Sequence, residues 1–348
     1  MRRLTFWLLL LAALLSGACA RPAAAPIVTP TPTPTVVPTP TPNPWAQVRG
    51  IVDPANHGWP REVEALNGRV RILAKPQNIH PLSGGLAEVV YALVPHSRVP
   101  SVNKAAQDPV YSNVASLAQK AVGVGWEPEA IVAQQPDLVL AARYDPKDLV
   151  DAVQRAGVTV VQVPQRYELD GIFQDILFVG YVLGEEDRAL QFEQEMRARL
   201  RAVSQALPTG ARRPRVLSVF SYGGQIYAAA KGSIAGMIIE AAGGVNAAAE
   251  AGITPPGLVS AESIATLNPD VIIIPQRLED AEKFRQQLLG DPALLSVTAI
   301  KEGRVYPVPP RFFGTLSPWN LRGVEELAKL LWPTALGNRE FPPFSVPR

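Results

Sequence analysis

Two stretches of this chain carry one pattern. PEAIVAQQPDLVLA at 128–141 and AESIATLNPDVIII at 261–274 each run from an acid near a helix start (Glu129, Glu262) through an apolar pair to Pro-Asp and then into an aliphatic strand. Self-similarity of this kind restricts the chain to a duplicated architecture, with one α/β unit on each side of whatever separates the copies. Between them lies EDRALQFEQEMRARLRAVSQAL, 186–207, in which Phe192, Met196, Leu200, Val203 and Leu207 recur at steps of three or four and fall on one helical stripe. Glu193 with Arg197 and Glu195 with Arg199 are acid-first pairs four apart, which support such a helix. Pro208, Thr209 and Gly210 stop it. At the rise of an α-helix the stretch spans roughly 33 Å, about the width of a small domain. The stripe alone also fits an ordinary surface helix; the flanking repeat favours a helix that links two lobes.

Helix and strand patterns alternate on both sides of it. Before it come a lead-in hairpin ending at Arg69–Leu73, a strand and loop in NIHPLSGG, a helix over 86–94, a strand over 138–142, a helix over 146–156, a strand over 158–163 and a helix over 170–182. After it come a strand over 215–220, a loop region SYGGQIYAAAKGS, a helix over 234–244, the repeat unit, a strand in IKEGRVYPV and a closing helix in SPWNLRGVEELAKLLWP. Such alternation predicts two α/β lobes with largely parallel sheets joined by a single long backbone helix. Pro136-Asp137 and Pro269-Asp270 read as turn chemistry, and Glu129 and Glu262 as acids complementing a helix dipole.

The first residues stand outside this fold. Met1-Arg2-Arg3, an apolar run from Leu4 to Leu15, and the small residues Ser16-Gly17-Ala18 before Cys19 have the three regions of a secretory signal, and the run is too short for a spanning helix. Cys19 is the only cysteine in 348 residues, so no intramolecular disulfide is possible. Residues 21–44 alternate Thr and Pro and can bury no core, as expected of an extended tether. The expected organisation is therefore a signal peptide at 1–18, a tether at 19–47, an N-terminal lobe at 48–185, the linking helix at 186–207 and a C-terminal lobe at 208–348.

A formal net charge of +2, with no dense run of Lys and Arg, argues against a nucleic-acid partner. The chain has no G-x-S-x-G elbow, no H-E-x-x-H, no phosphate loop and no full G-x-G-x-x-G, since GVGWEP breaks the last pattern. No enzyme is expected, and no cofactor. Three histidines, His57, His80 and His96, are too few and too scattered for a bare zinc or manganese receptor. Of these only His80 is expected near a cleft, where it is a weak candidate for an axial metal ligand.

Taken in order, these features resemble the class III periplasmic substrate-binding proteins, the receptors of ABC importers for ferric siderophores, cobalamin and haem. The resemblance covers residues 59–335 and rests on the first-helix acids Glu88 (SGGLAEVVYALV) and Glu240 (GMIIEAAGGVN), the two Pro-Asp units and the closing EGRVYPVPP. The stretch around Cys19 resembles a lipoprotein processing box, with Ser16 where Leu is commonest; this implies lipid on Cys19 and an exported chain anchored to the membrane surface. The resemblance further implies a monomer that captures a metal chelate and delivers it to the importer's membrane subunits, with Glu88 and Glu240 docking on their arginines. Open parallel sheets bind ligands beyond the carboxyl ends of their strands. That rule selects Ser83, Trp126, Arg143, Tyr144, Ser221, Tyr222, Lys231, Arg277, Arg311 and Phe312 as ligand contacts, a cationic and aromatic set suited to a ring-bearing, partly anionic chelate. A tethered haem or corrinoid carrier with no importer, or an exported enzyme on the same fold, are the alternatives.

Overall fold

The computed structural model describes residues 43–254 and 257–347; the signal, Cys19 and most of the Thr-Pro tether lie outside them. Residues 42–348 cluster as one compact unit, within which two α/β lobes are joined by a long helix. The N-terminal lobe opens with an antiparallel hairpin, β1 (Arg61–Ala65) and β2 (Gly68–Ile72). Its strands are β3 (Ile79–Pro81), β4 (Ser101–Asn103), β5 (Val122–Val124), β6 (Leu138–Ala141) and β7 (Val160–Gln162). Its helices are α1 (Gly84–Leu93), α2 (Ala115–Ala118), α3 (Pro128–Val132), α4 (Lys147–Arg155) and α5 (Leu169–Leu183). The order β3-β6-β7 is parallel throughout, as is the pair β4-β5.

The linking helix is α6 (Glu186–Ser204), which ends one turn earlier than the stripe extends. Phe192, Met196 and Val203 have no exposed surface. Gly180 of α5 lets the two helices meet closely, because a Cβ there would stand 2.2 Å from Cβ of Ala189. Glu193 and Arg197 pair as the spacing predicts. Arg199 does more: its guanidinium makes two parallel bonds to Glu325, at 2.8 and 2.9 Å, with both side chains buried. Such a bidentate pair fixes α6 against the C-terminal lobe geometrically as well as electrostatically.

The C-terminal lobe contains β8 (Arg215–Tyr222), β9 (Gln225–Ala228), α7 (Ile234–Ala241), β10 (Val245–Asn246), α8 (Ala247–Glu250), β11 (Leu258–Val259), α9 (Ala261–Leu267), β12 (Val271–Ile274), α10 (Leu278–Gly290), α11 (Thr298–Lys301), β13 (Val305–Pro307), α12 (Pro310–Phe313), α13 (Asn320–Leu331) and α14 (Pro333–Leu336). β10, β8, β12 and β13 are parallel, but β9 and β11 add an antiparallel edge. The stretch expected as a loop, SYGGQIYAAAKGS, is thus half hairpin. Gly223 and Gly224 both have positive φ, 58° and 76°, which is what a two-residue turn matched to strand twist requires.

The sequence repeat has a structural counterpart. Asp137 accepts the backbone N–H groups of Gln77 and Asn78 at 2.7 and 3.0 Å, just before β3. Asp270 accepts that of Arg215, at the start of β8, at 2.7 Å. In each lobe the Pro-Asp unit therefore pins the start of the neighbouring strand. The residues before the two prolines, Gln135 and Asn268, both adopt positive φ. Ser83 and Ser233 likewise cap α1 and α7, the first helices of the two lobes.

Beyond α14 the chain runs back along α6. Arg339 donates to Ala202 O at 3.0 Å, Arg199 to Pro342 O at 2.6 Å, and Ser345 Oγ to Glu195 at 2.9 Å. Phe344 closes this segment edge-on against Phe192 and Trp319.

Candidate functional site

The strand ends of the two lobes converge on a cavity of about 580 Å³. Tyr167, after β7, is its contribution from the N-terminal lobe. The C-terminal lobe supplies Ser218 and Phe220 of β8, Ala228–Ala230 at the end of β9, Gly232–Ala235 leading into α7, Pro275 after β12, and Phe313 and Gly314. Phe220 is held flat by stacking on Tyr227, centroids 5.3 Å apart and planes 15° apart. Ser233 is spent on structure, donating to Ala230 O at 2.7 Å and accepting from Gly236 N at 3.1 Å. The wall is thus small and apolar, with three aromatic rings, Tyr167, Phe220 and Phe313, and no formal charge. A smaller cavity of about 350 Å³ adjoins Pro109, Val110, Gln276, Leu278 and Pro307–Arg311.

None of the ten residues selected from the sequence lines the 580 Å³ cavity; immediate neighbours of three of them, Ser221, Lys231 and Phe312, do. Ser83 is buried as the α1 cap. Trp126 is 46% and Tyr144 51% exposed, on the turns after β5 and β6, and Arg143 beside Tyr144 is exposed too. Ser221 is tied through both its backbone groups to Gln276, at 2.9 and 3.0 Å. Tyr222 is 75% exposed at the hairpin tip, and Lys231 is exposed next to Gly232. Arg277 faces Asp108 of the other lobe at 3.5 Å, and Arg311 donates to Pro109 O at 3.2 Å. Phe312 lines a different groove of about 600 Å³, between the 109–117 segment, α13 and the C-terminal segment. Strand alternation is the missed signal: Ser218 and Phe220 face one way, so Ser221 faces the other.

Two further expectations are corrected by burial. Glu88 has no exposed surface, and its Oε1 accepts from Asn113 N at 2.6 Å and Asn113 Nδ2 at 3.0 Å. Desolvation pushes its carboxyl up to about 7, against those bonds and the nearby Arg311 charge. A carboxyl so enclosed is not presented to a docking partner. Glu240 is exposed, but seven residues after the cap it matches Val90 in α1, which is fully buried. These two acids are therefore not an equivalent pair. His80 lies within β3 with no exposed surface, its Nδ1 2.8 Å from Ser101 Oγ, and burial lowers its pKa to about 4. It stands in the core, not at the cavity. Among the described residues no group of three or more His, Cys, Asp or Glu is placed to hold a metal ion.

The repeat's own acids are placed differently. Glu129 and Glu262 are each the second residue of their helix, α3 and α9, and both are exposed.

Residues 81–312 match the periplasmic binding protein family, two-thirds of the chain and all the strands that build the cavity. The chain is a periplasmic binding protein. It is 30% identical over 278 residues to a cobalamin-binding protein of Halobacterium salinarum, covering 77% of this chain and 72% of that one. It is 27% identical over 276 residues to the uncharacterized ABC transporter substrate-binding lipoprotein YvrC of Bacillus subtilis, covering 78% and 84%. The crystal structure of a periplasmic heme-binding protein from Pseudomonas aeruginosa superposes with a TM-score of 0.64 at 26% identity, over 75% of this chain and 94% of that one. Each of these relatives is a ligand- or substrate-binding protein. No helix among the described residues of this binding protein is long and apolar enough to cross a membrane.

Proposed function

We propose that this chain is the substrate-binding lipoprotein of an ABC importer, that it captures a corrinoid between residues 48–185 and 208–348, and that it delivers the ligand to a permease. The observation that carries the ligand class is the cavity wall: apolar, lined by three aromatic rings, uncharged, and without His, Cys or Met. A ferric siderophore, rich in oxygen and often anionic, finds no cation on that wall. A corrinoid brings axial ligation of its metal with it and asks the protein only for a ring-sized apolar face, with polar contacts at the rim. Lys231, exposed and flanked by the lining residues Ala230 and Gly232, supplies a charge at the cavity rim. The cobalamin-binding relative supports the same class. Haem is the second reading, favoured by Tyr167, the one phenol on the wall.

Phe220→Ala and Tyr167→Ala test this placement. Each is expected to weaken cyanocobalamin binding by about tenfold or more, roughly 1.4 kcal/mol, while Phe312→Ala, in the other groove, leaves it unchanged. Equal losses in all three, or none in the first two, would put the ligand elsewhere.

Lipid attachment at Cys19 rests on the sole cysteine following small residues. A clickable fatty acid fed to producing cells should label the wild type and not Cys19→Ala, which should leave the membrane fraction. Persistent labelling of the variant would end the lipoprotein reading.

For docking, Glu129 and Glu262 replace Glu88 and Glu240: they occupy the same helical position in the two halves of the repeat, and both are exposed. Two equivalent acids on equivalent helices are a matched pair of charges for a partner with two cationic patches.

A further inference from the structure

One turn of the N-terminal lobe reaches across to two segments of the C-terminal lobe, the start of α10 and α12. Asp108–Asn113 follows β4 and a short 3-10 turn, and is internally braced: Val110 N donates to Asp108 Oδ1 at 2.8 Å and Ser112 N to Asp108 O at 2.9 Å. From it, Asp108 Oδ2 faces Arg277 Nη2 at 3.5 Å, and Tyr111 lies under the same guanidinium at 5.9 Å. Pro109 O accepts from Arg311 Nη1 at 3.2 Å, and Asn113 Nδ2 donates to Arg311 O at 3.0 Å. Arg277 and Arg311 follow β12 and β13, which are adjacent and parallel, so the turn grips the C-terminal lobe at two points of one rigid sheet. Its base is fixed equally well, because Asn113 also donates twice to the buried Glu88.

We propose that Asp108–Asn113 is an interlobe latch that holds the mouth of the cleft closed in the unliganded protein, with Glu88 as its buried anchor. The exposed Asp108–Arg277 pair alone is a weak contact. Its geometry matters because the shielded Asn113 bonds and the Arg311 bond act on the same turn, so releasing one loosens the others. Two arginines that look like ligand contacts in the sequence are thus engaged with the opposite lobe. The latch does not depend on which chelate is bound.

Pulsed electron-electron resonance on the ligand-free protein tests it, with spin labels at Arg155→Cys of α4 and Lys283→Cys of α10, both exposed positions, in a chain whose Cys19 is Ser. The parent should give one narrow distance distribution. Asp108→Arg, which sets like charges together across the cleft, and Asn113→Ala should each broaden it and move it to longer distance. Adding Arg277→Asp to Asp108→Arg should restore the parent distribution. Asp108 lies on the surface, so its charge reversal tests the latch even if Asn113→Ala disturbs Glu88 enough to prevent folding. A distribution unchanged by Asp108→Arg, or broadened by it and not restored by the swap, would overturn the latch.

Discussion

Replacing Glu129 and Glu262 together by alanine should abolish ligand uptake by cells and stimulation of the importer's ATPase, while ligand affinity in solution stays within about twofold. Both acids are exposed first-turn residues outside the cavity, so their loss removes no cavity contact and costs each helix only a modest dipole interaction. Their proposed role is docking. Two charges that must engage at once contribute to encounter and orientation together, so either single variant should retain part of the activity and the double variant almost none. Glu240→Ala, exposed but without a counterpart in the other lobe, should transport like the wild type. If the double variant supports full uptake, the repeat's acids are merely helix-start charges. A large loss of ligand affinity instead would mean that these helices face the cleft.

Glu88→Gln should change how stability depends on pH. The folded protein holds this carboxyl at about 7 against 4.5 for a free one, so between those values the folded state binds more proton than the unfolded state. Stability from this group is therefore present in full below pH 4.5 and is lost as pH rises through 7. The shift corresponds to about 3 kcal/mol. Asp145 and Asp175, raised to about 6 chiefly by burial, act with the same sign over a lower range. His80, lowered to about 4, acts oppositely, losing stability as pH falls from 6.5. Urea unfolding of wild type and Glu88→Gln should accordingly coincide near pH 4, with the variant more stable by about 3 kcal/mol at pH 8. Glutamine keeps the acceptor for Asn113 without the buried charge. A constant difference at all pH values would show that Glu88 does not titrate as its burial requires.

The architecture was legible because two signals agreed. The 128–141 and 261–274 units each need an acid, an apolar pair and Pro-Asp, and the structure shows why: Asp137 and Asp270 pin the starts of β3 and β8. The candidate site was legible only as loops. The pattern predicts a strand ending at Phe220 with a loop beyond, whereas Gly223-Gly224 between FSY and QIY is a hairpin turn, and the alternation it continues puts Ser218 and Phe220 rather than Ser221 and Tyr222 at the cavity. Glu88 departs from its expected exposure for a different reason. SGGLAEVVYALV is apolar nearly all round, and such a helix is buried on every face, so an acid within it faces protein on any side. The C-terminal segment has no periodicity to read; what orders it is the row of arginine and carboxylate groups on α6 and α13, which only the fold brings together.

Isothermal titration of the purified, ligand-free protein with cyanocobalamin, haem and a ferric hydroxamate, each alone, tests the central claim most directly. Cyanocobalamin should bind one to one with a dissociation constant of about 1 μM or tighter, equivalent to roughly 8 kcal/mol or more, and more tightly than the other two. Tighter binding of haem would move the assignment to the Tyr167 reading, and binding of none of the three, with a small sugar or amino acid binding instead, would contradict the account of the cleft.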